Sequence, residues 1–182
     1  MTKRKVEVTI LCEDIQQQVF ARRFLINRGF HARKIRLLAL PEGKGSGEQY
    51  VRVNYPAQVK ASRSQSSYLS ICLVVLIDAD TKIVDERLRQ LDKALEEDSQ
   101  SRRQPNEKIA VFVAKRNIDT WIHYLQGETV DEETVYPKLA KESDCESCIQ
   151  NLLSQCPRGL DKDAPPSLQL ACGELQRILP PT

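Results

Sequence analysis

The sequence contains no hydrophobic stretch long enough to cross a membrane, and this absence limits where the protein can act. The apolar run at residues 73–77 is far shorter than a bilayer-spanning helix, and the basic start has no apolar core behind it to form a signal peptide. Hydrophobic residues make up 41% of the chain and charged residues 29%, as in globular non-membrane proteins. We therefore expect a cytoplasmic protein.

Histidine and net charge are also scarce. The two histidines, His31 and His123, are too far apart in the pattern to suggest a catalytic pair, and we expect both to be surface or structural residues. The net charge of +2 argues against a broadly nucleic-acid-binding surface, but it hides an asymmetry. Residues 1–63 carry 13 Lys and Arg against 5 Asp and Glu, whereas residues 128–182 carry 5 against 10. The basic first part of the chain is therefore suited to meet phosphate.

The six cysteines predict free thiols or metal ligands, because thiols in the cytosol are kept reduced. Four of them have a spacing that a zinc site could use: Cys145, Cys148, Cys156 and Cys172. However, the first three recur at helical spacing on an apolar face, and free cysteine is usually buried. We therefore favour packing in the core over zinc binding.

Four apolar segments are predicted to be β-strands: residues 5–12, 34–40, 68–77 and 109–114. The third is the most apolar and is rich in β-branched residues, as is typical of a central parallel strand covered on both faces. Helical patterns follow each strand; the second is interrupted at Pro56, and Asp14 and Thr81 are candidate caps of the first and third. This alternation predicts a Rossmann-like α/β fold with a mostly parallel sheet flanked by helices.

The length of the chain allows one well-buried domain with a small addition. Residues 1–127 hold the α/β pattern. Residues 128–182 change to acidic loops and short helices punctuated by proline. We expect this second part to be a C-terminal helical extension packed on the core.

Charged or polar side chains follow three of the four predicted strands where each strand ends: Glu13 and Asp14 after the first, Asp78 and Asp80 after the third, and Lys115, Arg116 and Asn117 after the fourth. Parallel strands bring their carboxyl ends to one edge of the sheet, where α/β proteins bind ligands. Clustered carboxylates repel one another unless a cation neutralises them, and Mg²⁺ uses one or two carboxylates together with water. We predict that Glu13, Asp78 and Asp80 bind a divalent metal, against the alternative that they only cap helices.

A glycine-rich loop lies between the second strand and its helix and consists of Gly43, Lys44, Gly45, Ser46 and Gly47. It does not match a P-loop, because Lys44 is followed by glycine instead of Ser or Thr and the glycine spacing differs. Its backbone amides could form an anion nest with Lys44 as a phosphate contact, and a plain flexible turn is the equal alternative. Lys115 and Arg116 are better placed to neutralise a phosphate oxygen, because they lie at a strand end near the acids.

Three motifs resemble the TOPRIM domain shared by topoisomerases, primases and OLD-type nucleases. They are the glutamate that closes the first strand (ILCED), the D-x-D that closes the third (VVLIDAD) and the basic segment after the fourth (AKRNIDTW). The resemblance covers residues 5–125. The glycine-rich loop, LIDAD and RNIDTWI are also similar to small stand-alone TOPRIM-like proteins of bacterial genomes, several of which are associated with phage defence or with an ATPase partner.

The resemblance implies roles for individual residues. Glu13 becomes the catalytic glutamate that acts as general acid/base, and Asp78 and Asp80 become ligands of Mg²⁺ or Mn²⁺. Asp119 departs from the pattern, because related proteins usually carry glutamate there, and its shorter arm weakens any direct metal contact. Its neighbour Trp121 is predicted to pack in the core instead of stacking on a base.

The leading interpretation is therefore a Mg²⁺-dependent nuclease that acts on DNA or RNA. A second is a non-catalytic TOPRIM-like subunit that binds nucleic acid or a separately encoded ATPase, which the small size and the missing P-loop favour. A third is a signalling receiver domain, which also places acids after its first and third strands. The D-x-D, the glycine-rich loop and RNIDTW fit the TOPRIM pattern better.

Overall fold

A parallel β-sheet forms the centre of the protein. The structure is a computed structural model that describes residues 6–43 and 45–179. Within these ranges the strands are β1 (Glu7–Leu11), β2 (Ile35–Leu37), β3 (Ile71–Asp78) and β4 (Ile109–Ala114), all parallel and in the order β2-β1-β3-β4. The α-helices in the same ranges are α1 (Ile15–Asn27), α2 (Gly47–Gln65), α3 (Val84–Glu97), α4 (Ile118–Leu125), α5 (Glu146–Gln155) and α6 (Pro166–Glu174). The predicted α/β class, with a parallel sheet flanked by helices, is confirmed. None of these helices is long and apolar enough to span a membrane.

Both faces of the sheet are buried, which explains the continuous hydrophobicity of β3. Its alternate side chains point to opposite sides: Cys72, Val74 and Leu76 join the core beneath α1, α4, α5 and α6, and Leu73, Val75 and Ile77 join the core beneath α2 and α3. Each such aliphatic side chain stabilises the fold by about 1.5–3 kcal/mol. The strand lies between β1 and β4, so its predicted central position is confirmed.

The carboxyl ends of β1, β3 and β4 meet on one side of the sheet, which we call the carboxyl edge (residues 12–14, 78–80 and 115–117). The register pairs Leu11 with Val75 and Asp78 with Ala114. Continuing this register two residues beyond Leu11 places Glu13 level with Ile77, next to Asp78. The sheet itself brings the first and third strand ends side by side.

The C-terminal segment shares the core with the α/β part. Helices α5 and α6 contribute buried side chains to the same cluster as α1 and α4. Glu174 of α6 accepts a hydrogen bond from the backbone N–H of Val111 (3.0 Å) and pairs with Arg103, which covers the outer side of β4. Trp121 is in the core as predicted, and its indole N–H donates to Ser167 (2.9 Å). The domain boundary after residue 127 stays a prediction.

Two predicted elements differ from those observed. The helix expected to break at Pro56 is continuous, because α2 carries Pro56 in its interior. Burial of Val51, Tyr55 and Val59 on the same helix outweighs the backbone hydrogen bond that proline removes. Strand β2 is shorter than residues 34–40, since it lies at the edge of the sheet and pairs with β1 over three residues only.

The cysteines divide into two groups. Cys145 and Cys148 are free and buried in the core, as favoured over zinc binding. Cys156 and Cys172 form a disulfide between the end of α5 and α6, with Cα atoms 5.5 Å apart. The expectation of free thiols or metal ligands is therefore wrong for this pair, because the packing of α5 against α6 brings together two residues that the sequence pattern leaves unrelated.

Both histidines have structural roles, as expected. The ring of His31 accepts a hydrogen bond from the backbone N–H of Arg33 (3.2 Å). The ring nitrogens of His123 lie 2.9 Å from a carboxylate oxygen of Glu128 and 2.9 Å from the carbonyl oxygen of Pro137. His123 thus attaches the acidic segment after α4 to the α/β part.

Candidate functional site

Glu13 and Asp78 are in direct contact at the carboxyl edge. The backbone N–H of Asp78 donates to Oε1 of Glu13 at 2.6 Å. Asp78 is only 9% exposed, because it is the last residue of the buried strand β3. The structure therefore brings together two of the three acids that the sequence places in the metal site.

A buried glutamine joins these two acids. Gln17 lies in the first turn of α1, where its backbone N–H donates to the cap residue Asp14 (2.9 Å). Its side-chain oxygen accepts from the backbone N–H of Glu13 (2.9 Å), and its side-chain nitrogen donates to Oδ1 of Asp78 (3.0 Å). Gln17 thus spans the ends of β1 and β3.

Asp80 lies at the rim of the edge, in a turn. It has a positive φ of 55°, a conformation that aspartate tolerates better than most residues. The N–H of Lys82 bonds to the carbonyl of Ala79 (2.9 Å), which closes this turn and delays α3 until Val84. Thr81 therefore does not cap α3, and that prediction is wrong.

The buried side chain of Arg87 holds the D-x-D turn in place. Its guanidinium donates to the carbonyl of Asp78 (2.9 Å), lies 3.4 Å from a carboxylate oxygen of Asp80, and pairs with Glu48 at 2.7 Å. The Asp80 side chain is 55% exposed, so its pairing with Arg87 is open to solvent. Arg87 therefore fixes the backbone of the turn more firmly than it fixes the Asp80 carboxylate.

Two further predicted site residues make structural contacts next to the carboxyl edge. Asp14 caps α1 and pairs with Lys138 at 2.9 Å. Asp119, 1% exposed, accepts from the side chain of Gln16 and belongs to the first turn of α4. Both acids are engaged in structural contacts. The side-chain oxygen of Asn117, by contrast, is buried without a hydrogen-bond partner within the described residues.

The cations after β4 lie beside the acids. Lys115 pairs with Glu133 of the acidic segment at 2.9 Å. Arg116 is near enough to Asp80 for its positive charge to lower the pKa of that carboxyl, against the larger effect of burial, which raises it. Any phosphate that binds Lys115 has to replace Glu133.

The glycine-rich loop leads into α2, and among its described residues Gly47 touches the site. Lys44 lies outside the described residues. Gly43 has a positive φ of 85°, Gly45 is exposed, and Ser46 caps α2 by accepting from the N–H of Gln49 (3.4 Å). Gly47 packs directly on Glu13, where an added Cβ would lie 2.7 Å from the Glu13 Cβ. Whether the loop binds phosphate stays a prediction.

Burial and mutual repulsion make the two central acids hard to ionise. Burial, with the negative charges of Asp80 and Asp14, raises the pKa of Glu13 to about 7, although the Asp78 N–H and Arg87 oppose the shift. Burial, followed by the charge of Glu13, raises the pKa of Asp78 well above its usual value. A cation or a shared proton would relieve this repulsion.

The donor set fits a hard, oxygen-seeking cation. Within residues 6–43 and 45–179, no group of three or more His, Cys, Asp or Glu side chains is placed to hold a metal ion. Mg²⁺ requires only one or two carboxylates, because it keeps several of its waters. Glu13 and Asp78 therefore suffice for such a site, and the three-carboxylate set that includes Asp80 stays a prediction.

Sequence reasoning found the acids but missed the side chains that support them, namely Gln17, Glu48 and Arg87. A usable signal was present, because three consecutive glutamines follow the end of the first strand at the start of a helix. All three are buried in the structure. Arg87 lies among other charged residues of α3, and the sequence pattern does not distinguish it from them. Its role depends on where α2 and the D-x-D turn lie in space.

We expect Gly47→Ala to destabilise the fold by about 1–3 kcal/mol, since the new methyl group collides with the Glu13 side chain and carbonyl. The control is Gly173→Ala in α6, where an added Cβ meets no atom within 4 Å. That change should be neutral or stabilising, because alanine favours helix. Urea unfolding of both variants checks the prediction. A Gly47→Ala protein as stable as the control variant would show that Gly47 does not pack on Glu13.

We expect Glu13→Gln to stabilise the metal-free protein increasingly as the pH rises from 4.5 to about 8. The groups that face Glu13 are Asp78, Asp80, Asp14 and Arg87. Burial, with the charges of Asp80 and Asp14, raises the pKa of Glu13 from 4.5 to about 7, while the Asp78 N–H and Arg87 oppose the shift. Protonated Glu13 contributes fully to the free energy of unfolding at pH values below its pKa in the unfolded chain. This contribution is lost as the pH rises through its higher pKa in the folded protein. The variant should gain on the order of 1–3 kcal/mol over the parent.

The measurement is the difference in thermal midpoint between variant and parent across this pH range, in buffer with chelator. Glu86→Gln, at an exposed position of α3, is the matched control. A difference for Glu13→Gln that does not grow with pH would mean that the Glu13 carboxyl is not destabilised by its surroundings.

Comparison of the chain with protein-family models, with curated proteins and with solved structures gives no match.

Proposed function

We propose that the chain is a TOPRIM-like domain that cleaves phosphodiester bonds in DNA or RNA with Mg²⁺ or Mn²⁺ as cofactor. The observation that carries the proposal is the contact between Glu13 and Asp78 at the ends of adjacent parallel strands. Helix capping does not require the Glu13 carboxylate to bond to the backbone of a second buried acid at the end of the next strand. Burial and the Glu13 charge raise the pKa of Asp78, so the pair costs stability, as functional sites commonly do.

The two acids suit different tasks in this reaction. Glu13 is the proposed general acid/base, because a pKa of about 7 lets it accept and release a proton near neutral pH. Oδ1 of Asp78 accepts a hydrogen bond from Gln17, and the other carboxylate oxygen is the proposed cation ligand. Asp80, at the rim, is the proposed second ligand. The cation, when bound, supplies charge stabilisation for the phosphate oxygens.

The cations after β4 are the proposed phosphate contacts. Lys115 and Arg116 follow β4 at the same edge as the acids, and each can donate to a non-bridging phosphate oxygen. The excess of Lys and Arg in residues 1–63 favours a polyanionic substrate over a small neutral one. A role in phage defence follows only from the family resemblance.

A second candidate is a non-catalytic subunit that uses this edge to bind nucleic acid or a separately encoded ATPase. Two observations favour it: Asp80 pairs with Arg87, and Lys115 pairs with Glu133. These contacts neutralise Asp80 and Lys115 within the protein itself. The two candidates differ in whether the parent protein cuts nucleic acid at all.

We expect Asp78→Asn to abolish cleavage while leaving the fold intact or slightly more stable. The amide removes a charge from a crowded site, which relieves repulsion, and it is a poorer ligand than carboxylate for a hard cation. The measurements are cleavage of labelled single- and double-stranded DNA and RNA in Mg²⁺ or Mn²⁺, and the thermal midpoint with and without metal. Asp161→Asn, at an exposed position after α5, is the matched control and should cut like the parent.

Three outcomes separate the candidates. Loss of cutting in Asp78→Asn alone supports the nuclease. If the parent cuts nothing in either metal, and adding metal does not change its thermal midpoint, the nuclease proposal is contradicted and the binding-subunit proposal remains. An Asp78→Asn protein that cuts at the parent rate shows that the activity belongs to other residues or to a contaminant.

A further inference from the structure

Helix α1 carries three consecutive glutamines in its first turn, all with buried side chains, and each side chain bonds to a different residue outside the helix. Gln16 donates to Asp119, Gln17 donates to Asp78, and Gln18 donates to the carbonyl oxygen of Leu38 (3.1 Å). Burial of an amide side chain is costly unless its hydrogen bonds are made. Only the contact of Gln17 involves both acids of the proposed site.

Helix capping explains one half of the Gln17 contacts. Asp14 and Gln17 have the spacing of a capping box, in which the cap accepts from the third helical N–H and the third side chain returns to the N–H of the cap itself. The return bond here reaches the N–H of Glu13 (2.9 Å), one residue before the cap. Capping requires only the side-chain oxygen, so the bond from the nitrogen to Asp78 is left to be explained.

The backbone bond fixes the orientation of the amide. Because the Glu13 N–H can only donate, the Gln17 oxygen must face it, and the nitrogen must then face Asp78 as a donor. Oδ1 of Asp78 is thereby occupied at 3.0 Å, and the carboxylate cannot rotate without losing this bond. Its Oδ2 makes no hydrogen bond within the described residues, so this oxygen has no protein partner to displace before it binds a ligand.

We propose that Gln17 is a positioning residue that orients the Asp78 carboxylate for a divalent cation, and that it does so from the same side chain that ties down Glu13. The inference rests on the proposed function. Partners of this kind fix the direction and basicity of a ligand carboxylate, and their removal commonly weakens metal affinity about 10–100-fold. A leucine at this position would fill similar space but would leave the Glu13 N–H and the Asp78 oxygen unpaired.

The test measures Mn²⁺ affinity by electron paramagnetic resonance on the full chain, which reports binding without any need for activity. The variants are Gln17→Leu and, in case this one does not fold, the more flexible Gln17→Met. Gln18→Leu is the matched control, because it removes a neighbouring buried amide that contacts Leu38 and neither acid. Thermal midpoints of all variants are recorded without metal.

We expect the Mn²⁺ dissociation constant to rise about 10–100-fold in the Gln17 variants and to stay within about twofold of the parent in Gln18→Leu. A measurement on the parent needs no variant: the side-chain amide resonance of Gln17 should shift on saturation with Mg²⁺ more than that of Gln18. Loss of stability alone, with unchanged Mn²⁺ affinity, would be the behaviour of a purely structural glutamine.

The outcomes distinguish this inference from the function on which it rests. If the parent binds Mn²⁺ and the Gln17 variants bind it equally well, the positioning role is overturned and the metal site stands. If Gln18→Leu loses as much affinity as Gln17→Leu, the effect is general to the helix and the positioning role is again overturned. If the parent binds no Mn²⁺, the proposed function falls and the inference falls with it.

Discussion

The contact between Glu13 and Asp78 is the interaction on which the carboxyl edge depends. The Glu13 carboxylate accepts from the Asp78 backbone, and its charge raises the pKa of the nearby Asp78 carboxyl, so the fold must hold the two acids together by other means. It does so from three directions: Gln17 from α1, Arg87 from α3, and Gly47, whose missing side chain lets α2 begin against Glu13. The free energy for this arrangement comes from the apolar packing of β3, which ends in Asp78 between two buried faces.

The acidic C-terminal segment complements this edge electrostatically. Glu133 forms an ion pair with Lys115, and Lys138 forms one with Asp14. The segment after α4 is therefore connected to the strand ends by ion pairs of both polarities. His123 attaches the same segment through Glu128 and Pro137. The charge asymmetry of the chain is therefore partly satisfied within the molecule, and a phosphate at Lys115 competes with a carboxylate that is already present.

The parts of the structure that depend on local pattern could be predicted from the sequence. The boundaries of β4 and α4, the central position of β3 and the shared edge of Glu13 and Asp78 all follow from apolar periodicity and the geometry of parallel strands. The parts that depend on contacts distant in sequence could not. Pro56 continues a helix because the apolar face of α2 is buried, Cys156 meets Cys172 because α5 packs near α6, and Arg87 is singled out from its charged neighbours only by the D-x-D turn.

The most direct test of the metal site is a crystal structure of the parent protein grown or soaked with Mn²⁺, with data collected to locate the anomalous scattering of manganese. We predict an anomalous peak at about 2.0–2.3 Å from the Asp78 carboxylate, on the side of Glu13 and Asp80, with waters completing the coordination. A saturated crystal with no peak at this position, or with its strongest peak at another acidic group, would rule out the proposed metal site.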